Sequence, residues 1–288
     1  MIDDIFAKFD GAFAKNTIRA YRSDFAQYQN WCLQNNLEPI PANADTMAMY
    51  VDHLSENNKS ATIRRRINSL GTVLKLSKNN DPTKHPEVIL ALKRMHRKIG
   101  RAQDQATPLT KTLLKQLLNN CDNSIMGIRN QVLLRLGYET MRRRSELCAF
   151  KFEDVSQALN GKPIIRLNFS KTDQFGTGKV IPISEKLLNL LGKWKEIVGD
   201  EGYILRSINK HGHIGDSLNS ASISTILKKL QEGLKSGSNQ QPLSGHSFRV
   251  GAALDLLQQG EPLEKIMLRG GWQTDSTAMK YLRNWHAF

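Results

Sequence analysis

The chain has 288 residues, enough for one large domain or two ordinary ones, and its 40% hydrophobic content supplies real cores, which excludes a disordered tail. Forty-one Lys and Arg against 27 Asp and Glu leave a formal charge of +14 and a pI near 9.7, an excess that points to a polyanionic partner, nucleic acid being the usual one. No apolar run reaches the length of a membrane span, Asp3 and Asp4 stand where a secretory signal would be basic, and the three cysteines (Cys32, Cys121, Cys148) form no CxxC pair, which together read as a reduced, cytoplasmic chain with no disulfide framework and no zinc site.

The first hundred residues read as helices throughout. NTIRAYRSDFAQYQNWCLQNN places Ile18, Tyr21, Phe25, Tyr28 and Cys32 at spacings of three and four behind an Asn16/Thr17 cap. ADTMAMYVDHLSEN is a second helix. SATIRRRINSLGTVLKLSKNN is a third, with Ile63, Ile67, Leu70 and Leu74 inward, and HPEVILALKRMHRKIG is a fourth, with Pro86 in its first turn. No strand-like alternation is visible before residue 160. The polar, aperiodic stretch GRAQDQATPLT, residues 100–110, reads as a linker. Thr110 then caps KTLLKQLLNNC, and IMGIRNQVLLRLGYET is another amphipathic helix. KPIIRLNFS and GKVIPIS, flanking KTDQFGT, predict a hairpin. Five further helical segments complete the chain: SEKLLNLLGKWKEIV, SISTILKKLQEGL, FRVGAALDLLQQ, PLEKIMLRG and DSTAMKYLRNW.

The motifs of several chemistries are missing. There is no P-loop, no GxSxG elbow, no HExxH and no acidic cluster suited to two Mg²⁺ ions. The sequence offers cationic donors beside structural breaks instead. Arg142, Arg143 and Arg144 fall where one helix ends and the next begins, and Glu146, three residues after Arg143, can fix its guanidinium. Lys171 sits in the hairpin turn. In LSGHSFRVGAA, His246 and Arg249 stand three apart at a helix start, so they share a face. Trp272 follows Gly270 and Gly271, and Tyr281 lies in the last helix. Singly, each of these is an ordinary surface charge, turn lysine or core aromatic.

Their joint order is more specific. R..E, then SKT in a hairpin, then GHSFR, then GGW and a tyrosine nine residues on (281 − 272 = 9), resembles the tyrosine recombinase (phage integrase) family. The likeness extends to its Cre-type subgroup in GHSFRVGAALDLLQQG and IMLRGGWQTDSTAMKYLRN, where Trp fills a slot that is His in most of the family. The resemblance implies a mainly α fold with a small β-hairpin or sheet in a two-domain architecture. Residues 1–100 would be a helical, SAM-like core-binding domain, 101–110 a linker, and 111–288 an α-rich catalytic domain. It implies that Arg143, Lys171, His246, Arg249 and Trp272 activate a scissile phosphate, that Glu146 supports them, and that Tyr281 is the nucleophile. The activity implied is site-specific recombination of double-stranded DNA carrying a target site, through a 3′-phosphotyrosyl intermediate, with no metal, cofactor or ATP. A type IB topoisomerase shares that chemistry, and a non-catalytic DNA-binding regulator is the rival from another class.

A tetrameric synapse on DNA is expected, in the cytoplasm and associated with the nucleoid when bound. DNA contacts are expected from Lys59, Arg64, Arg65, Arg66 and Arg142, the first four around a helix suited to the major groove. Beyond Tyr281, Trp285 and Phe288 are three apart, and an aromatic plug docking on this or a neighbouring protomer is expected there.

Overall fold

The computed structural model describes residues 2–102, 104–168, 178–234 and 241–283. The chain divides into two compact units, Met1–Asp104 and Gln105–Phe288.

Unit 1 is helical: α1 (Ile2–Ala7), α2 (Lys15–Gln34), α3 (Ala44–Asn57), α4 (Ser60–Leu76) and α5 (Pro86–Ile99), with a short 3₁₀ turn at Pro82–Lys84. Phe25, Tyr28 and Cys32 of α2 are buried on one stripe, as their spacing predicts, and α4 buries Ile63, Ile67, Leu70 and Leu74. The expected Asn16/Thr17 cap is not where α2 begins. Ala14 is the cap residue, its carbonyl already accepts from the Thr17 and Ile18 amides, and Asn16 instead accepts from Arg19 within the first turn. Asn43 does cap α3, accepting from Thr46 N at 2.7 Å. Tyr50 of α3 joins the packing, its ring 5.1 Å from that of Tyr28 and 5.0 Å from that of Trp31.

Among the described residues of this unit, a charged group lies inside. Asp24 of α2 is buried, and both of its carboxylate oxygens accept from the Arg65 guanidinium of α4, a fork that ties α2 to α4. Arg66 Nε stands 4.0 Å from the same carboxylate. The RRR run is therefore not one uniform face: Arg64 and Arg65 are both exposed, Arg65 being paired with Asp24, while Arg66 is half-buried.

Unit 2 contains α6 (Lys111–Asn119), α7 (Ile125–Thr140), α8 (Arg144–Ala149), a second 3₁₀ turn at Phe152–Asp154, and strands β1 (Val155–Gln157), β2 (Pro163–Leu167) and β3 (Lys179–Pro182). Five more helices follow: α9 (Glu185–Val198), α10 (Ser222–Glu232), α11 (Ser247–Gln258), α12 (Leu263–Gly270) and α13 (Asp275–Leu282). The antiparallel sheet runs β1-β2-β3, with Val155 opposite Ile165 and Ile165 opposite Ile181. The expected hairpin is thus two strands of three. β1 escapes the sequence reading because it is three residues long and only Val155 is even partly buried, too little for an alternation to show.

α11 is the central helix of this unit, packing on α6, α7, α12 and α13. It crosses α7 where Gly137 leaves no room for a side chain: a Cβ there would meet the Phe248 ring at 2.6 Å. The stretch expected as a linker is divided by the unit boundary. Its second half is built into unit 2, with Leu109 fully buried, Leu109 N bonded to Ser247 O at 2.9 Å, Thr107 Oγ1 to Gln241 O at 2.9 Å, and Gln105 Nε2 to Tyr281 O at 2.6 Å.

Two predictions follow from this packing. A Cβ at Gly251 would meet the Leu109 backbone at 2.0 Å, whereas one at Gly192, on the exposed face of α9, meets nothing. Gly251→Ala should therefore lose about 1–3 kcal/mol by overpacking, and Gly192→Ala should gain up to about 1 kcal/mol from helix propensity. Urea denaturation of both variants checks this, and equal midpoints would contradict it. Asp24→Ala should cost about 1.5–3 kcal/mol, the range for a hydrogen-bonded charged pair, with faster hydrogen exchange confined to residues of unit 1.

Candidate active site

The site is built where α7 stops. Met141 ends that helix in the left-handed region, at φ 53°, with its side chain buried. A non-glycine residue is uncommon there, and the turn lets the chain restart three residues on as α8. Arg143 is the N-cap of α8. Glu146, in the first turn, receives the Arg143 backbone N–H at 3.1 Å on one carboxylate oxygen and Arg143 Nη1 at 2.8 Å on the other. The guanidinium is thereby aimed by a carboxylate that is itself buried. Burial alone would raise the pKa of Glu146, but those bonds and the charges of Arg143 and Arg142 hold it below the ordinary carboxylate value.

Arg249 rises from the first turn of α11 and is 1% exposed. Its Nη1 donates to Met141 O at 2.5 Å, which fixes α11 against the α7 turn. His246, the N-cap residue of α11, is exposed at the rim. Partial desolvation, then the charges of Arg249, Arg144 and Arg143, push its pKa below the usual value. The close approach of this turn to the α8 start requires Gly245, where a Cβ would meet the Arg144 side chain at 2.1 Å.

Gly271, at φ 66°, ends α12, and Trp272 follows it, 5% exposed. Tyr281 of α13 completes the group. Its ring lies 4.6 Å from that of Trp272, and it is nearly parallel to the His246 ring at 6.5 Å and 7°. The Arg249 guanidinium carbon is 5.1 Å from the Trp272 ring centre and 5.3 Å from that of Tyr281. Among the described residues, nothing accepts from Arg249 Nε, Arg249 Nη2 or Trp272 Nε1, although all three are buried. Leaving such donors unsatisfied costs about 1–3 kcal/mol each, and their common neighbour is the Tyr281 ring.

The structure thus brings Arg143, Glu146, His246, Arg249, Trp272 and Tyr281 to one corner of unit 2. Lys171, with the turn that carries it, lies outside the described residues, as do Trp285 and Phe288. Arg142, expected at the DNA surface, is 3% exposed; its Nε donates to Thr140 O at 2.7 Å and its Nη2 to Arg269 O. It is an internal cation, because Met141 turns the chain so that residue 142 points back between two helix ends. Lys59 is exposed and paired with Asp104 at 2.9 Å. Sequence reading missed Lys179, on β3, whose Nζ donates to Leu268 O. Desolvation, followed by the charges of Arg142 and Arg249, lowers its pKa. It also missed Arg269. Lys179 belongs to no motif and Arg269, although inside the IMLRGGW stretch, has no signal that singles it out; only the folded arrangement brings them near the others.

Comparison with known proteins agrees with this geometry. The family model described as "Phage integrase family" matches residues 107–287. The chain is 27% identical over 287 residues to the integrase/recombinase xerD homolog of Selenomonas ruminantium, covering 96% of this chain and 83% of that one. It is 27% identical over 292 residues to recombinase cre of Escherichia phage P1, covering 95% and 85%. Among solved structures, a lambda integrase tetramer bound to a Holliday junction superposes with a TM-score of 0.65 at 16% identity, covering 96% of this chain and 77% of that one. Matched by its family model over most of its length and by these relatives along nearly all of it, the chain belongs to the phage integrase family.

Proposed function

We propose that the chain is a site-specific DNA recombinase that cuts and rejoins strands through Tyr281. One observation carries the assignment: Arg249 and Trp272, each with buried N–H donors left unpaired among the described residues, stand against the Tyr281 ring, with Arg143 held by Glu146 in the same corner. That is the equipment of in-line displacement at a phosphodiester, where charge builds on the non-bridging oxygens and fixed donors offset it. Arginine suits the task because its planar fork binds two oxygens and stays charged.

In this reading the Tyr281 oxygen attacks phosphorus and the bond from phosphorus to the 5′-oxygen breaks. A tyrosine hydroxyl is a weak nucleophile at neutral pH; it gives up its proton to solvent as its oxygen attacks. His246 adds a hydrogen bond to a phosphate oxygen. Lys171 donates the proton that the leaving 5′-oxygen requires. A 3′-phosphotyrosyl link and a free 5′-hydroxyl result. The link conserves the bond energy, so the 5′-hydroxyl of a second strand can reverse the step without ATP. The guanidinium groups supply the charge that a metal ion would supply in other phosphoryl transferases.

Duplex DNA with a target site is the partner, and four copies assemble on it, in keeping with the fold shared with a tetramer bound to a Holliday junction. Unit 1 adds grip through α4, with Arg64 as an exposed cation on its surface and Lys59 beside it. The protein works in the cytoplasm, on the nucleoid. Among the described residues no helix is long and apolar enough to cross a membrane.

Genomic fragments incubated with the chain should yield covalent adducts at discrete sites, and EDTA should not reduce them. Tyr281→Phe should abolish the adducts while leaving duplex affinity nearly unchanged. Arg249→Ala and Arg143→Ala should each slow adduct formation by about 10²–10³-fold, as for loss of one preorganised oxyanion donor. Adducts formed by Tyr281→Phe, or a strict Mg²⁺ requirement, would overturn the assignment. Relaxation of plasmids that lack any such site would assign a topoisomerase instead. Arg64→Ala should flatten the dependence of duplex affinity on salt by about one phosphate contact.

A further inference from the structure

Two helices end at the site, α7 and α12. Their terminal carbonyls carry partial negative charge, the wrong sign beside a phosphate. The structure covers these carbonyls with cations. Arg142 Nε donates to Thr140 O at 2.7 Å and Arg249 Nη1 to Met141 O at 2.5 Å, while Lys179 Nζ takes Leu268 O. Arg142 and Arg269 form a crossed pair. Arg142, just past the end of α7, donates through Nη2 to the carbonyl of Arg269 on α12, and Arg269 donates back to Glu139 O on α7 at 3.1 Å. The clasp leaves no slack, since a Cβ on Gly271 would lie 2.6 Å from Arg142 Nη1. Gly271 immediately precedes Trp272, and Arg142 immediately precedes Arg143.

We propose that Arg142 is a positioning residue of the strand-cleavage site: crossed with Arg269, its guanidinium locks the turn that carries Trp272 to the corner that carries Arg143, so the phosphate donors are in register before DNA arrives. As a contribution to stability alone the residue is a poor choice. It is a buried cation beside Arg249, Arg143 and Arg269, and an apolar side chain of similar volume is often as good or better at such a position. Burial, and then the charge of Arg249, lower its pKa to about 10, so it remains charged at neutral pH despite these neighbours. What an apolar residue lacks is the fork that reaches two carbonyls on two helices at once.

The kinetic part of the test rests on the function proposed above; the exchange part does not. Arg142→Leu, Arg142→Lys and Arg269→Gln are made in the full chain. On a duplex that the wild type cleaves, Arg142→Leu should form adducts about 10²-fold more slowly from the bound complex, the scale of a 1 Å misplacement, with duplex affinity within about twofold. Arg142→Lys should stay slow, because it restores the charge and not the fork. Arg269→Gln, which opens the other half of the clasp at a partly exposed position, should show the same selective loss and stands in if Arg142→Leu fails to fold.

Without DNA, each variant should exchange the Gly271 and Trp272 amides faster than the wild type, while the Leu147 amide, bonded to Arg143 O, is unchanged. Wild-type cleavage rates in Arg142→Leu and Arg269→Gln, full rescue by Arg142→Lys, or unchanged exchange at Gly271 and Trp272 would each overturn the proposal. If the wild type itself forms no adduct on any DNA, the recombinase reading fails, and the exchange data alone decide for or against the clasp.

Discussion

The burial of Arg249 is the constraint on which the rest of unit 2 turns. A guanidinium with 1% of its surface exposed must be compensated from within, and Arg249 Nη1 donates to Met141 O. That bond needs α7 to end where it does, with Met141 at positive φ, and it needs α11 close enough to reach across. The close approach in turn needs glycine at two contacts along α11, Gly137 against Phe248 and Gly251 against Leu109. The remaining two Arg249 nitrogens, together with the Trp272 indole N–H, stay unpaired among the described residues. The fold therefore spends packing quality on holding donors where they are least satisfied, which has a physical rationale if charge arrives there during the reaction.

Electrostatics of the corner point the same way. Arg142, Arg143, Arg249 and Arg269 stand near one another, and Glu146 is the carboxylate bonded directly to one of them. Their mutual repulsion shows as depressed pKa values on Arg249, Arg142, Lys179 and His246, with desolvation the larger cause in each. A site of this composition favours an anion and disfavours a metal cation. The backbone takes part as well: carbonyls at the ends of α7 and α12 accept from three of these cations, so the partial negative charge of those helix termini is covered by positive side chains.

Much of this was legible in the sequence, and the reasons differ by element. The inward stripes of α2 and α4 follow from spacing, and Thr110, Pro86 and the Gly271 turn mark helix limits through local chemistry. Arg143, Glu146, His246, Arg249, Trp272 and Tyr281 were legible as an ordered set, although each one alone resembles a surface charge or a core aromatic. Contacts between residues distant in sequence were not legible. Nothing local distinguishes Arg65, claimed by Asp24 from forty-one positions away, from Arg64. The same holds for Arg142, whose inward direction is set by the backbone angle of Met141 and whose second acceptor lies 127 residues on. β1 was hidden because three residues carry no period, and residues 105–109 because a strap held by scattered hydrogen bonds has the composition of a linker.

The most direct test of the central claim is chemical identification of the covalent link. The wild-type chain is trapped on a nicked duplex at a mapped cleavage site, digested with nuclease and protease, and analysed by mass spectrometry. The account predicts a nucleotide joined through its 3′-phosphate to Tyr281, on the peptide that begins after Lys280. A nucleotide on any other side chain, or one attached through a 5′-phosphate, would contradict it.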